Sequence, residues 1–245
     1  MMQAEKLTVS VLIPTFNRSA LLVDALNSIL SQSRSPDEVI VVNDGSTDDT
    51  LEKLKQFGTR IRVIDRPNGG KSAALNFALA QVTTDAVWIF DDDDLAAPDA
   101  LETLTGLLEA NSDADLAYGR HERFTHDTSG KMRFLGTGHW VECAASDFLL
   151  ETMCDMFVHQ PGMLVRKSLY DRVGAFNETL PRSMDYEMLL RLARAGKVVS
   201  TSRVVFYQRM HEGRRGTCEL AIANGDRKSH WIKHDKDIFT RLYAE

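Results

Sequence analysis

Apolar and polar positions follow two rhythms along the first half of the chain. Short β-rich runs at Leu7–Ile13, Glu38–Val42, Ile61–Ile64, Ala86–Phe90 and Ala114–Gly119 read as strands, the first central and buried. Pro14 stops the first run, and Thr15-Phe16-Asn17-Arg18 forms the loop beyond it. Between the runs, apolar positions recur at helical spacing, as at Leu22, Ala25, Leu26, Ile29 and Leu30 behind a capping Ser19. A second helix follows a cap at Ser46 or Thr47, and a third runs from the Arg66–Ala74 turn to about Gln81. A fourth spans Pro98 to about Ala110, with proline in its first turn. This steady alternation predicts an α/β domain with a mostly parallel sheet and helices on both faces.

The rhythm changes after Arg120. Glu122–Thr125 and Lys131–Leu135 flank Asp127-Thr128-Ser129-Gly130 as a hairpin. Residues 139–156 are partly helical, Gly162–Arg166 is a strand and Lys167–Val173 a short helical turn. Met184–Ala195 is a helix closed by Gly196, and Lys197–Tyr207 returns as one or two strands. A charged, glycine-containing tail and a terminal helix follow. No repeat or linker divides the chain, so residues 1–245 form one domain. About residues 1–119 carry the sheet, and about 120–245 build a smaller wall over it.

Composition narrows the function. A length of 245 residues suffices for one substantial core, and 43% apolar with 26% charged content is that of a globular protein. A net charge of −6 without a long Lys/Arg run argues against nucleic acid as a partner. Three cysteines without metal-ligand spacing read as free thiols in a reducing, cytoplasmic compartment. The opening residues are not a signal peptide, and no stretch has the roughly 18 apolar residues of a spanning helix. Peripheral association with a membrane stays open.

The chemistry concentrates in VWIFDDDDL, Val87–Leu95. Four adjacent carboxylates, Asp91 to Asp94, repel one another unless a positive group is shared among them. They follow a buried strand, and strand ends are where α/β sheets bind ligands. Asp91 and Asp93 have DxD spacing, which suits Mg²⁺ or Mn²⁺ bridging to phosphate oxygens. Asp94 reads as a cap for the next helix, a role Asp99 could also fill, or as a group supporting the site. In a parallel sheet the loops bearing Thr15, Asn17, Arg18 and Asp44 reach the same edge. Asn68-Gly69-Gly70-Lys71-Ser72 lacks phosphate-loop spacing, yet its helix start and Lys71 could meet an anion. Asp185 points to the covered side at the positive end of its helix, as a cap or as a base in a cleft. His211, beside Gly213-Arg214-Arg215-Gly216, sits in a basic loop that could close over a diphosphate.

The ordered set of these motifs resembles the inverting family 2 glycosyltransferases of GT-A fold, which use nucleotide-activated sugars. The matching pieces are VLIPTFNR (Val11–Arg18), VVNDGST (Val41–Thr47), NGGKSAALN (Asn68–Asn76) and FDDDDL (Phe90–Leu95). Gly174-Ala175-Phe176-Asn177-Glu178, Asp185-Tyr186-Glu187 and Arg191-Leu192 resemble its acceptor-side signature. The resemblance covers about residues 7–215. It implies that Thr15, Asn17 and Arg18 border base and ribose, and that Asp44 contacts the base. It implies Asp91 toward the ribose or the metal's water shell, with Asp92 accessory. It further implies Asp93 as ligand of Mn²⁺ or Mg²⁺, Asp185 as general base, and His211 as a further metal or diphosphate contact. The donor is then a UDP-, dTDP- or GDP-sugar, UDP favoured. The acceptor is a hydroxyl of a glycan, lipid-linked or small molecule.

Met184 stands where many relatives carry a second acid, so a single-carboxylate base is expected. No QxxRW-type motif is present, which argues against a processive synthase. A phosphatase of the haloacid dehalogenase type would want its DxD strand first, not fourth. A sugar-nucleotide nucleotidyltransferase would want a glycine-rich basic loop where PTFNR stands. An inactive relative that only binds nucleotide or carbohydrate fits poorly with an intact Asp93 and Asp185.

Overall fold

The computed structural model describes residues 6–180, 182–210 and 238–240. In chain order the described elements are β1 (Val9–Thr15), α1 (Ser19–Leu30), β2 (Glu38–Asp44), α2 (Thr50–Leu54), β3 (Arg62–Arg66) and α3 (Lys71–Leu79). Then come β4 (Ala86–Ile89), β5 (Leu95–Ala96), α4 (Ala100–Ala110), β6 (Leu116–His126), β7 (Met132–Thr137) and α5 (Phe148–Cys154). The series closes with β8 (Met163–Arg166), α6 (Lys167–Val173), α7 (Met184–Ala195) and β9 (Val198–Arg209).

One sheet runs in the order β3-β2-β1-β4-β8-β6-β9-β5, with β7 paired to β6. Its first four strands are parallel, as the alternation predicts. Successive residues of β1 face opposite sides, and both sides are apolar. Val9, Val11 and Ile13 pack with Leu22, Leu26 and Ile29 of α1 and Leu101, Leu104 and Leu108 of α4. Leu12 packs on the other face with Ala74, Leu75 and Ala78 of α3 and Leu189 and Leu192 of α7. Burial on both faces is why β1, β2 and β4 read as continuous apolar runs, whereas β3 at the sheet edge is largely exposed.

Several boundaries differ from expectation. Pro14 does not stop β1; it pairs with Val42, and the strand reaches Thr15. The Leu12 carbonyl accepts from the Phe90 N–H on the β4 side. By strand alternation the Pro14 nitrogen points the same way, past the end of β4, where no ladder donor is required. Ser19 is the first residue of α1, not its cap, and its hydroxyl donates to Asp49 at 2.5 Å. Neither Ser46 nor Thr47 caps α2, because the cap position is Asp49. Pro98 precedes the helix it was expected to open, whose cap position is Asp99.

The second half also extends the sheet instead of only covering it. The strand expected to end at Gly119 and the first strand of the hairpin are one, β6, which continues to His126 and pairs with β7. Strand β8 inserts between β4 and β6, antiparallel to both, so the sheet is mixed beyond β4. Strand β9 pairs parallel to β6, and its far end pairs with β5. The consequence for function is positional. The end of β9 and the start of β8 arrive at the sheet edge where β1, β2 and β4 release their loops. Helix α7 packs on the α3 face of the sheet, and its Tyr186 hydroxyl donates to the Thr152 carbonyl of α5 at 3.0 Å.

Candidate active site

The four aspartates have four different environments. Their turn is closed by the Asp94 N–H on the Asp91 carbonyl at 3.5 Å. Asp92 points inward: its carboxylate accepts from the Thr15 hydroxyl at 2.7 Å and from Arg18 at 3.1 Å. The same Arg18 nitrogen reaches Asp93 at 2.7 Å. Lys71, on the first turn of α3, reaches Asp91 at 2.5 Å. Asp94 accepts from the Arg209 backbone N–H at 2.8 Å. Oxygens of Asp91, Asp93 and Asp94 lie within 4.8 Å of one another. Three carboxylates at that separation are a hard-oxygen donor set of the kind that holds Mg²⁺ or Mn²⁺.

The charges support this division. Burial works against the Lys71 ammonium, but Asp91, Asp185 and Asp93 outweigh it and hold the group above its ordinary range. Arg18 is likewise raised, against its own burial, by Asp92 and Asp93. Burial pushes the Asp92 carboxyl up to about 6 despite Arg18. The folded chain therefore retains a proton on Asp92 between its ordinary 3.8 and about 6, and the unfolded chain does not. The Asp92 contribution to stability is thus favourable at low pH, is lost as pH rises through that window, and is flat above it. The loss is at most about 3 kcal/mol. Buried His121, pushed down to about 3, acts oppositely below its ordinary 6.5, so the variant difference is the observable. Metal-free Asp92→Asn should melt above wild type at pH 7.5, with the gap closing toward pH 5; a pH-independent gap in thermal unfolding contradicts this.

The β2 loop is tied to its neighbours on both sides. Asn17 adopts φ 54°, in the left-handed region where asparagine is among the tolerated residues. Its side-chain oxygen accepts from the Thr47 and Asp48 N–H groups at 2.7 and 3.3 Å. Asp44 is buried; its carboxylate accepts from the Gly69 and Gly70 N–H groups, the latter at 2.7 Å, with Arg66 at 3.3 Å. Gly45 makes that closeness achievable. Its φ is +76°, and a Cβ there would lie 2.6 Å from the Asn68 nitrogen. Across the cleft, Asp185 occupies the first turn of α7 and accepts from the Tyr186 N–H at 3.0 Å. Its charge is one of those that hold the Lys71 ammonium, which brings the start of α7 into the same charge cluster.

A model of the glycosyl transferase family 2 domain matches residues 10–174, well over half of the chain. The chain belongs to glycosyl transferase family 2. Among curated relatives, an uncharacterized glycosyltransferase of Rickettsia conorii is 25% identical over 91% of this chain and 37% of its own length. Pasteurella multocida hyaluronan synthase is 29% identical over 91% of this chain and 22% of its own length. The chain thus spans well under half of these relatives. Among solved structures, Staphylococcus aureus TarS 1–349 with UDP-GlcNAc superposes with TM-score 0.70 at 21% identity, over 90% of this chain and 63% of TarS 1–349. The mannosyltransferase PcManGT of Pyrobaculum calidifontis, with GDP-Man and Mn²⁺, gives 0.63 at 21% identity, over 84% and 58%. The fold is GT-A, as in these neighbours.

The family 2 motifs converge as the sequence suggests for Thr15, Arg18, Lys71, Asp91, Asp92, Asp93 and Asp185. Asn17 and Asp44 join them as the residues holding the β1, β2 and α3 loops together. His211 and its basic loop lie outside the described residues. The cap position of α4 is Asp99, and Asp94 lies with Asp91 and Asp93, its carboxylate accepting from the Arg209 N–H at the far end of β9. Arg209 is a residue that sequence reasoning missed. Buried under the turn, it donates from Nε to the Asp93 carbonyl at 2.8 Å and from Nη2 to Asp24 at 3.0 Å. Its guanidinium lies 4.9 Å from the Phe124 ring centroid. The available signal was a charged residue at the end of a strand run.

Proposed function

We propose that this family 2 chain transfers a sugar from a nucleoside-diphosphate sugar, UDP-linked by preference, to an acceptor hydroxyl in one metal-dependent displacement that inverts the anomeric carbon. The observation that carries this reading is the cluster of Asp91, Asp93 and Asp94 with Lys71, joined by Asp185 at the start of α7, whose charge helps hold the Lys71 ammonium. PcManGT with GDP-Man and Mn²⁺, and TarS with UDP-GlcNAc, support the donor class by similarity of fold. Asp93, with Asp91 and Asp94, would hold Mn²⁺ or Mg²⁺. Bound there, the cation supplies charge neutralisation for the departing diphosphate, so no acid need protonate it.

The remaining roles fall to the chain's own groups. Thr15, Asn17, Arg18 and Asp44 border base and ribose, Asp44 also fixing the Gly69–Gly70 turn. Lys71 and Arg18 are cations within reach of phosphate oxygens. Asp185 takes the proton of the acceptor hydroxyl as that oxygen attacks from the face opposite the nucleotide. Met184 before it supplies no second carboxylate, so one base serves.

The test is thermal unfolding with UDP-, dTDP- and GDP-sugars, each with Mn²⁺, with Mg²⁺ and with neither. One donor class is expected to raise the midpoint only when metal is present. No response to any nucleotide sugar would sink the donor reading.

A further inference from the structure

We infer that Asn76 and Arg191 are positioning residues that register the Asp185 helix against the donor-side helix; this rests on the base role proposed for Asp185. Both clamp the four residues Val173–Phe176, which end α6 and enter the loop toward α7. Arg191, on α7, donates from Nη1 to the Val173 and Gly174 carbonyls at 2.7 and 3.3 Å. From Nη2 it donates to the Ala175 carbonyl and to Glu187, both at 2.8 Å. Asn76, on α3, takes the next residue from both sides. Its Nδ2 donates to the Phe176 carbonyl at 3.0 Å, and its Oδ1 accepts from the Phe176 N–H at 2.7 Å. The same Nδ2 also donates to Glu178 at 2.8 Å.

Four consecutive carbonyls thus have side-chain donors, three supplied by one helix and the fourth by the other. A loop has no ladder to satisfy its backbone, so its conformation is set by whichever side chains take that place. The Phe176 ring, buried in the core beside Tyr170, adds a fixed point between the two clamps. Each clamp is also rigidly tied to a site residue. Asn76 lies five residues after Lys71 on α3, about 7.5 Å along the helix. Arg191 lies six after Asp185 on α7, about 9 Å along it. The strut therefore joins the lysine that meets Asp91 to the carboxylate that faces it. A general base displaced by even 1 Å loses much of its effect, which gives this registration a catalytic consequence.

Two measurements on the full chain test it. In hydrogen exchange of the ligand-free protein, Asn76→Ala and Arg191→Lys should each raise exchange across residues 174–180 and 184–190 at least tenfold. Residues 86–95 should stay within twofold. Asn76→Asp, which keeps the acceptor for the Phe176 N–H, should fall between. Unchanged exchange across those stretches in both variants overturns the proposal. The second measurement is nucleotide release from the nucleotide sugar that gives the thermal response. Asn76→Ala should lower kcat at least tenfold with KM for the donor within twofold. It should add nothing when combined with Asp185→Asn. A further tenfold loss in that background would mean a general folding role and would also overturn it. If Asp185→Asn turns over like wild type, or no nucleotide sugar binds, the base or donor reading fails, and exchange alone decides the strut.

Discussion

Asp185→Asn is expected to bind the nucleotide sugar as wild type does and to lose transfer by about 10²–10⁴-fold. The side chain stands at the start of α7, and among the described residues its hydrogen bond is from the adjacent Tyr186 N–H. An amide can accept that bond equally well, so helix and fold should persist. What the amide cannot do is take a proton from an attacking hydroxyl. The expected pattern is therefore an unchanged donor-induced thermal shift with kcat lost and donor KM retained. Initial-rate kinetics with the binding measurement check both halves. Full activity in Asp185→Asn would remove this residue from the chemistry.

Asp93→Asn should have the complementary effect. Metal-promoted donor binding disappears, and transfer falls by roughly 10³-fold or more, as loss of a Lewis acid implies. The free protein should not melt earlier. Asp93 is crowded by its acidic neighbours, and Arg18 keeps Asp92 at 3.1 Å when Asp93 is neutral. Equal or higher thermal stability together with lost Mn²⁺ binding would separate a ligand role from a folding role. Mn²⁺ titration followed by electron paramagnetic resonance reads the first, and a melting curve the second. Undiminished Mn²⁺ binding in the variant would assign the metal to other groups.

The parts legible in the sequence were those where one local pattern carries the information. Strands β1, β2 and β4 are buried on both faces, so their apolar runs announce themselves, and α7 spans the residues that its period and Gly196 predict. The acidic turn, Lys71 and Asp185 stood out as charged groups at strand or helix ends, where the sheet edge gathers them. Features set by distant partners stayed hidden. Nothing near β4 says that β8, more than 70 residues later, will lie beside it, held partly by the Trp88 indole on the Pro161 carbonyl at 2.9 Å. Asp94 resembled a helix cap because α4 follows closely in sequence, yet its carboxylate accepts from the Arg209 N–H, 115 residues away. Asn76 passed as part of a motif, while its bonds reach Phe176, 100 residues on.

The central claim is a single displacement with Asp185 opposite the leaving diphosphate, and the anomer first released reports on it directly. Water can stand in for the acceptor, so the identity of the acceptor is not needed. An α-linked nucleotide sugar, chosen by the thermal panel, is incubated with the protein and Mn²⁺ and followed by proton NMR before mutarotation equilibrates the sugar. Release of the β-anomer first, absent in Asp185→Asn, is the predicted result. Initial release of the α-anomer would contradict it.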